Sequence, residues 1–164
     1  DFRAGERTFQ LLTQVAGRAG RGEGEGEVFV QAFTPFHPAI QYARRHDYRG
    51  FYDQEVESRQ QLKYPPLGRV ALLTLKGRND DKVRFTANHL AKEIEKALAP
   101  LRDWILAGPA PAPLLRAETF YRHQLMIRTP HMSRLSRILA PLLQGFPLPD
   151  DLALSIDIDP VNLW

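Results

Sequence analysis

Cysteine is absent from all 164 residues, which excludes disulfides and thiolate zinc sites and fits a soluble, cytoplasmic protein. The five histidines are scattered without the spacing of metal ligands, so no metal site is expected. There is no signal-peptide pattern and no apolar run long enough to cross a bilayer, which removes a membrane partner from the expectations. Also missing are a phosphate loop of the form G-x-x-x-x-G-K-[ST] and a paired Asp-Glu metal motif. The chain alone is therefore not expected to hydrolyse ATP.

The 43% hydrophobic content is enough for a true core, in one ordinary domain or two small ones. The net charge of +3 is unevenly placed. Basic and acidic side chains balance within residues 1–68, so the whole excess falls in 69–164. Within 116–137, Arg116, Arg122, Arg128, Arg134 and Arg137 face only Glu118, and an anionic partner is expected there.

The segment that organises the first part is Gln14-Val15-Ala16-Gly17-Arg18-Ala19-Gly20-Arg21. Phe9, Leu12, Ala16 and Ala19 recur at helical steps, while Gln14, Arg18 and Arg21 occupy the other face and the end. Gly17 and Gly20 remove side-chain bulk around the arginines, and Gly20 and Gly22 can stop the helix. Two guanidiniums one turn apart can reach one phosphate cluster, as an arginine finger requires. A bare Gly-Arg-x-Gly-Arg also occurs in solvated loops. The alternating Gly and Glu of 22–26 read as a flexible connector, because glutamates repel phosphate.

Residues 27–33 alternate as a strand with apolar residues on both sides, expected to be covered on both faces in a parallel sheet. Short helices are expected from Pro38 to Arg45 and from Gly50 to Leu62, read as a solvated arm despite Arg44, Arg45 and Arg49. Tyr64-Pro65-Pro66-Leu67-Gly68 stops the second helix and marks the expected boundary between domains 1–68 and 69–164.

Beyond it the pattern is strand 69–76, a helix to Leu98 capped by Asn79 or Asp80, and a short strand 104–107. A stiff Pro-Ala loop (108–113), strand 121–128, a helix after Thr129-Pro130 that Pro141 ends or kinks, and strand 153–158 follow. This strand–helix–strand order, twice over, is a split βαβ, ferredoxin-like arrangement of four strands with two helices on one face. Arg122, Gln124 and Arg128 alternate onto the polar face of one strand and are candidate DNA contacts, with Arg116 entering from the loop before it. His123, in phase with Leu125 and Ile127, reads as a core or edge histidine. Arg134 and Arg137, three apart on a helix, can receive an acidic peptide, or simply face solvent.

Gln14-x-x-Gly17-Arg18-x-Gly20-Arg21 resembles the sixth motif of superfamily 2 helicases, on the second RecA-like lobe. With the flanking 1–12, the arm ending in Tyr64-Pro65-Pro66, the Pro-Ala run and Ser155-Ile156-Asp157-Ile158-Asp159-Pro160, nearly the whole chain is similar to the primosomal replication-restart helicases. The resemblance implies the end of a RecA-like lobe followed by a C-terminal domain of a larger ATP-dependent 3′→5′ DNA helicase. Such a helicase recognises stalled or abandoned forks and starts primosome assembly. It implies nucleotide contacts from Gln14, Gly17, Arg18 and Arg21, with Arg21 as the finger and Arg18 its partner. ATP and Mg would be held mostly by a lobe not in this chain, and zinc by cysteines upstream of it. Implied partners are branched and single-stranded DNA, single-stranded DNA-binding protein and primosome assembly proteins, with the protein itself a monomer; the acidic tail of single-stranded DNA-binding protein is one peptide that Arg134 and Arg137 could receive. Two alternatives stay open: a non-enzymatic nucleic-acid or partner-binding module, and another superfamily 2 junction helicase with a similar tail.

Overall fold

The computed structural model describes residues 2–19 and 26–161, which fall into two compact units, Asp1–Gln61 and Leu62–Trp164. In the first, α1 (Ala4–Ala19), α2 (Pro38–Arg44) and α3 (Tyr48–Leu62, ending one residue into the second unit) pack around a small core. Phe9 and Phe51 stack face to face with centroids 4.4 Å apart, flanked by Ala39 and Ala43. Arg59 ties α3 to α1, giving 2.9 Å hydrogen bonds to both Glu55 and Glu6. The His37 side chain accepts from the Ala39 N–H and Pro38 occupies the first turn, so α2 starts where an N–H is dispensable.

The strand expected at 27–33 is not formed among the described residues. That segment carries no ladder, and Phe29 and Phe33 stand 89% and 109% exposed. Alternation supplies the apolar side chains of a strand, but its N–H and C=O groups need a neighbouring strand, and none pairs with it among the described residues.

The second unit is a mixed α/β structure. Its elements run β1 (Arg69–Gly77), α4 (Asp80–Leu98), β2 (Ile105–Ala117), β3 (Phe120–Thr129), α5 (Met132–Gly145) and β4 (Leu152–Ile158). The four strands form one sheet in the order β2-β3-β1-β4, every neighbouring pair antiparallel. Both helices contribute to a single core. Val83, Ala87, Leu90, Ile94 and Leu98 of α4 are fully buried with Leu73 and Leu75 of β1, Leu125 and Ile127 of β3, and Leu135 of α5. Asn79, not Asp80, caps α4, its Oδ1 accepting from the Lys82 N–H at 3.0 Å. Gly77 lets β1 pass close to its neighbours: a Cβ there would lie 2.2 Å from a Leu152 methyl.

Two expectations about local structure are corrected. The Pro-Ala run is not a loop but part of β2, which has register shifts at 107/110 and 111/116. As an edge strand, β2 tolerates prolines because only one side of it must supply ladder hydrogen bonds. Helix α5 runs through Pro141 to Gly145. Among the described residues no helix is long and apolar enough to cross a membrane.

Candidate nucleic-acid interface

Side-chain parity divides the sheet into two faces. Ala71, Leu73 and Leu75 of β1, with Tyr121, His123, Leu125 and Ile127 of β3, face the helices. His123 is 4% exposed and shares a 2.8 Å hydrogen bond between its Nε2 and Asp80 Oδ1, which fastens the start of α4 to β3. The second face carries Val70, Leu72, Thr74 and Lys76, directly opposite Arg128, Met126, Gln124 and Arg122. Continuing onto β4, the row adds Asp157, Ser155 and Ala153.

The candidate DNA residues separate on this frame. Arg122 and Gln124 lie together on the second face, half-buried, and Gln124 donates to Thr74 Oγ1 at 3.3 Å. Arg116 is exposed, but it sits on β2 opposite Tyr121, its guanidinium carbon 5.4 Å from the Tyr121 ring centroid. Cross-strand neighbours share a face, so Arg116 belongs to the helix side of the sheet and reaches the basic end from the other side of Arg122.

Arg128 does not belong with them. It shares their parity but is only 8% exposed. Its Nη1 donates to the Leu62 carbonyl at 2.9 Å, and its guanidinium lies 4.5 Å from the Tyr64 ring centroid. Its Nε is buried with no partner among the described residues. A charge held between a helix-end carbonyl and an aromatic face is a structural cation, withdrawn from any phosphate.

Sequence reasoning missed the residues opposite Arg122. Lys76 is its direct partner on β1, and Lys76 and Arg78 both lie over the Phe120 ring, at 5.8 and 5.7 Å from its centroid. Their alternation was readable, but only the strand register brings them beside Arg122.

Arg134 and Arg137 are exposed near the start of α5, where they line a shallow depression with His131, Ser133 and Arg69. Arg69 is ion-paired with Asp159, whose other oxygen accepts from the Val70 N–H at 2.9 Å. The His131 side chain makes no cap hydrogen bond to α5, and the Arg134 N–H donates to the His131 carbonyl at 3.1 Å.

On α1, Gln14, Gly17 and Arg18 are exposed, and a Cβ at Gly17 would meet nothing within 4 Å. Gln14 and Arg18, four apart, share one stripe of the helix. Arg21, with Gly20 and Gly22, lies outside the described residues.

A protein-family model described as "Primosomal protein N C-terminal domain" matches residues 60–161. Over 99% of its length the chain is 41% identical to the replication restart protein PriA of Synechocystis, of which it covers 19%. It is 37% identical over 98% of its length to the PriA of Bacillus subtilis, covering 20% of that protein. The PriA of Treponema pallidum is 35% identical over 99% of the chain, which covers 24% of it. The chain thus spans about a fifth to a quarter of the length of the curated relatives it matches.

Proposed function

The chain belongs to the primosomal protein N C-terminal domain family, and from that premise we propose that it works as the C-terminal portion of an ATP-dependent 3′→5′ DNA helicase that recognises stalled or abandoned replication forks and starts primosome assembly. The observation that carries this reading is the alignment of nearly the whole chain, in order, with replication restart proteins. On this reading the first unit is the tail of a RecA-like lobe, and the second is a ferredoxin-like domain that binds DNA and partners. The βαββαβ order and the β2-β3-β1-β4 sheet support the ferredoxin-like description. The protein acts in the cytoplasm as a monomer, and any zinc belongs to a part of the helicase outside this chain.

In the parent helicase Gln14, Gly17, Arg18 and Arg21 face the nucleotide. The exposed Gln14–Arg18 stripe, with open space at Gly17 and no carboxylate partner for Arg18 among the described residues, suits a polyphosphate. Mg and most phosphate contacts belong to the other lobe, so the chain alone leaves ATP intact. Arg21 supplies fixed positive charge where phosphoryl charge develops. In the second unit, Arg122 and Gln124, with Arg116 flanking them, contact DNA phosphates of branched or single-stranded substrates. The uncapped start of α5, with Arg134 and Arg137, receives the acidic tail of single-stranded DNA-binding protein.

The deciding experiment uses the intact helicase and a forked substrate. Arg21→Ala is expected to lower DNA-stimulated ATP turnover by roughly 10³–10⁵-fold with little change in DNA affinity. Turnover within a few-fold of wild type would remove the finger assignment. Failure of the wild-type protein to unwind a fork would overturn the function itself.

A further inference from the structure

We propose that Lys76, Arg78 and Arg122 form a clamp for the phosphates of a single DNA strand, arranged by the Phe120 ring at the basic end of the sheet. The inference rests on the reading of the second unit as a DNA-binding domain and specifies which part of it holds the strand.

Three observations converge on this cluster. First, Lys76 and Arg122 are direct cross-strand neighbours, and like charges so placed destabilise an antiparallel pair. Second, the described residues supply these cations with no carboxylate partner. Elsewhere in this unit Lys63, Arg69, Lys82 and Arg84 each have a carboxylate partner, namely Asp103, Asp159, Asp151 and Asp81. Among the described residues no carboxylate pairs with Lys76, Arg78 or Arg122. On the β4 side, the neighbour of Lys76 is Ala153. Third, the charges are held in place rather than left to wander. Lys76 and Arg78 share the electron-rich ring of Phe120, and Phe120 is in phase with Arg122 on β3. The loop that carries Arg78 is fixed immediately afterwards by the Asn79 cap and the Asp80–His123 hydrogen bond.

Three cations collected together, two of them opposed and none paired with a carboxylate among the described residues, have the electrostatics of a site completed by an anion. The cluster crosses the ends of β1 and β3, and its one apolar group is a ring already covered by two cations. Repeating phosphodiesters, rather than the side chains of a peptide, match that pattern. Phe120 acts here as a positioning residue.

The test is an anisotropy salt titration of the 164-residue chain on a labelled single-stranded oligonucleotide, with thermal melting of each variant. For Lys76→Gln with Arg78→Gln, the slope of log affinity against log salt is expected to flatten by about 1.4, from roughly 0.7 per lost contact. Affinity at low salt should fall about tenfold or more, while the Tm holds or rises as the Lys76–Arg122 repulsion is relieved. Phe120→Leu keeps every charge and should weaken binding a few-fold without changing the slope. An unchanged slope in the glutamine double variant, with a flattened one in Arg122→Ala, would overturn the clamp and leave DNA binding on β3 intact. Wild-type protein that does not bind the oligonucleotide would instead overturn the DNA-binding reading beneath it. Equal competition by an acidic peptide of matched charge would overturn the strand assignment.

Discussion

Arg122 and Arg128 stand on the same face of the same strand, six residues apart, yet they have opposite roles. Arg128 is buried over Tyr64 and bonded to the Leu62 carbonyl. Arg122 opposes Lys76 at the other end of the sheet, with no carboxylate partner among the described residues. Strand parity decides which face a side chain takes, but not what covers that face. At the Arg128 end the chain turning through Tyr64 closes over the sheet. At the Arg122 end no carboxylate among the described residues pairs with it.

Replacing each arginine is the sharpest way to break this contrast, and Arg128→Ala should have the largest effect. It removes a charge-assisted hydrogen bond and a desolvated cation–π contact, so unit 2 should lose about 2–4 kcal/mol. For a domain of this size that lowers its Tm by roughly 10 °C or more, while the salt slope of DNA binding stays put. A flattened slope with unchanged Tm would reverse the assignment. Tyr64→Leu tests the same end more gently. It keeps the Leu62 hydrogen bond and loses the ring, so about 1 kcal/mol is expected in the same melting experiment. Arg122→Ala should do the converse: stability within about 0.5 kcal/mol of wild type, and a slope flatter by about 0.7–0.9.

The smallest effect comes from cations that do have partners. Hydrogen bonding and charge from Lys63 hold the Asp103 carboxyl below its ordinary value of 3.8, and Lys82 does the same for Asp151. A carboxyl whose folded pKa is depressed stabilises the fold above its unfolded pKa, and loses that contribution as pH falls through the folded one. Unit 2 should therefore weaken slightly below about pH 3.8. Both carboxylates are solvent-exposed, so the change is shallow. Acid melts of Asp103→Asn with Asp151→Asn, flatter than wild type below that pH, would agree, and superimposable curves would not.

Much of this second unit was legible in the chain. The α4 stripe from Val83 to Leu98 is a periodic signal that burial followed closely, and the alternation from Tyr121 to Arg128 is one that burial followed from His123 to Ile127 and broke at Arg128. What failed depended on neighbours. Pro109, Pro111 and Pro113 argue against an interior strand, but β2 is an edge. Ile156 and Ile158 take the expected face of β4 yet remain 47% and 43% exposed, because an edge strand runs beyond the cover of the helices. Residues 27–33 have a strand's composition without a strand's partner. Within the candidate site, Arg122 and Gln124 were readable from alternation. Lys76 and Arg78 were not, because register between β1 and β3 is a property of the pair.

The interleaved sheet also bears on how this unit reaches its fold. β1 and β2 are not neighbours and neither are β3 and β4, since each half of the chain receives a strand from the other between its own two. The Val70 N–H is satisfied by a carboxylate 89 positions later. Closing such long loops precedes most of the reward, so folding should be a single concerted event rather than a sequential one. Severed at the turn between Ala117 and Phe120, neither fragment could build a ladder alone. Mixed together, the two should zip into one sheet, each supplying the strand the other lacks.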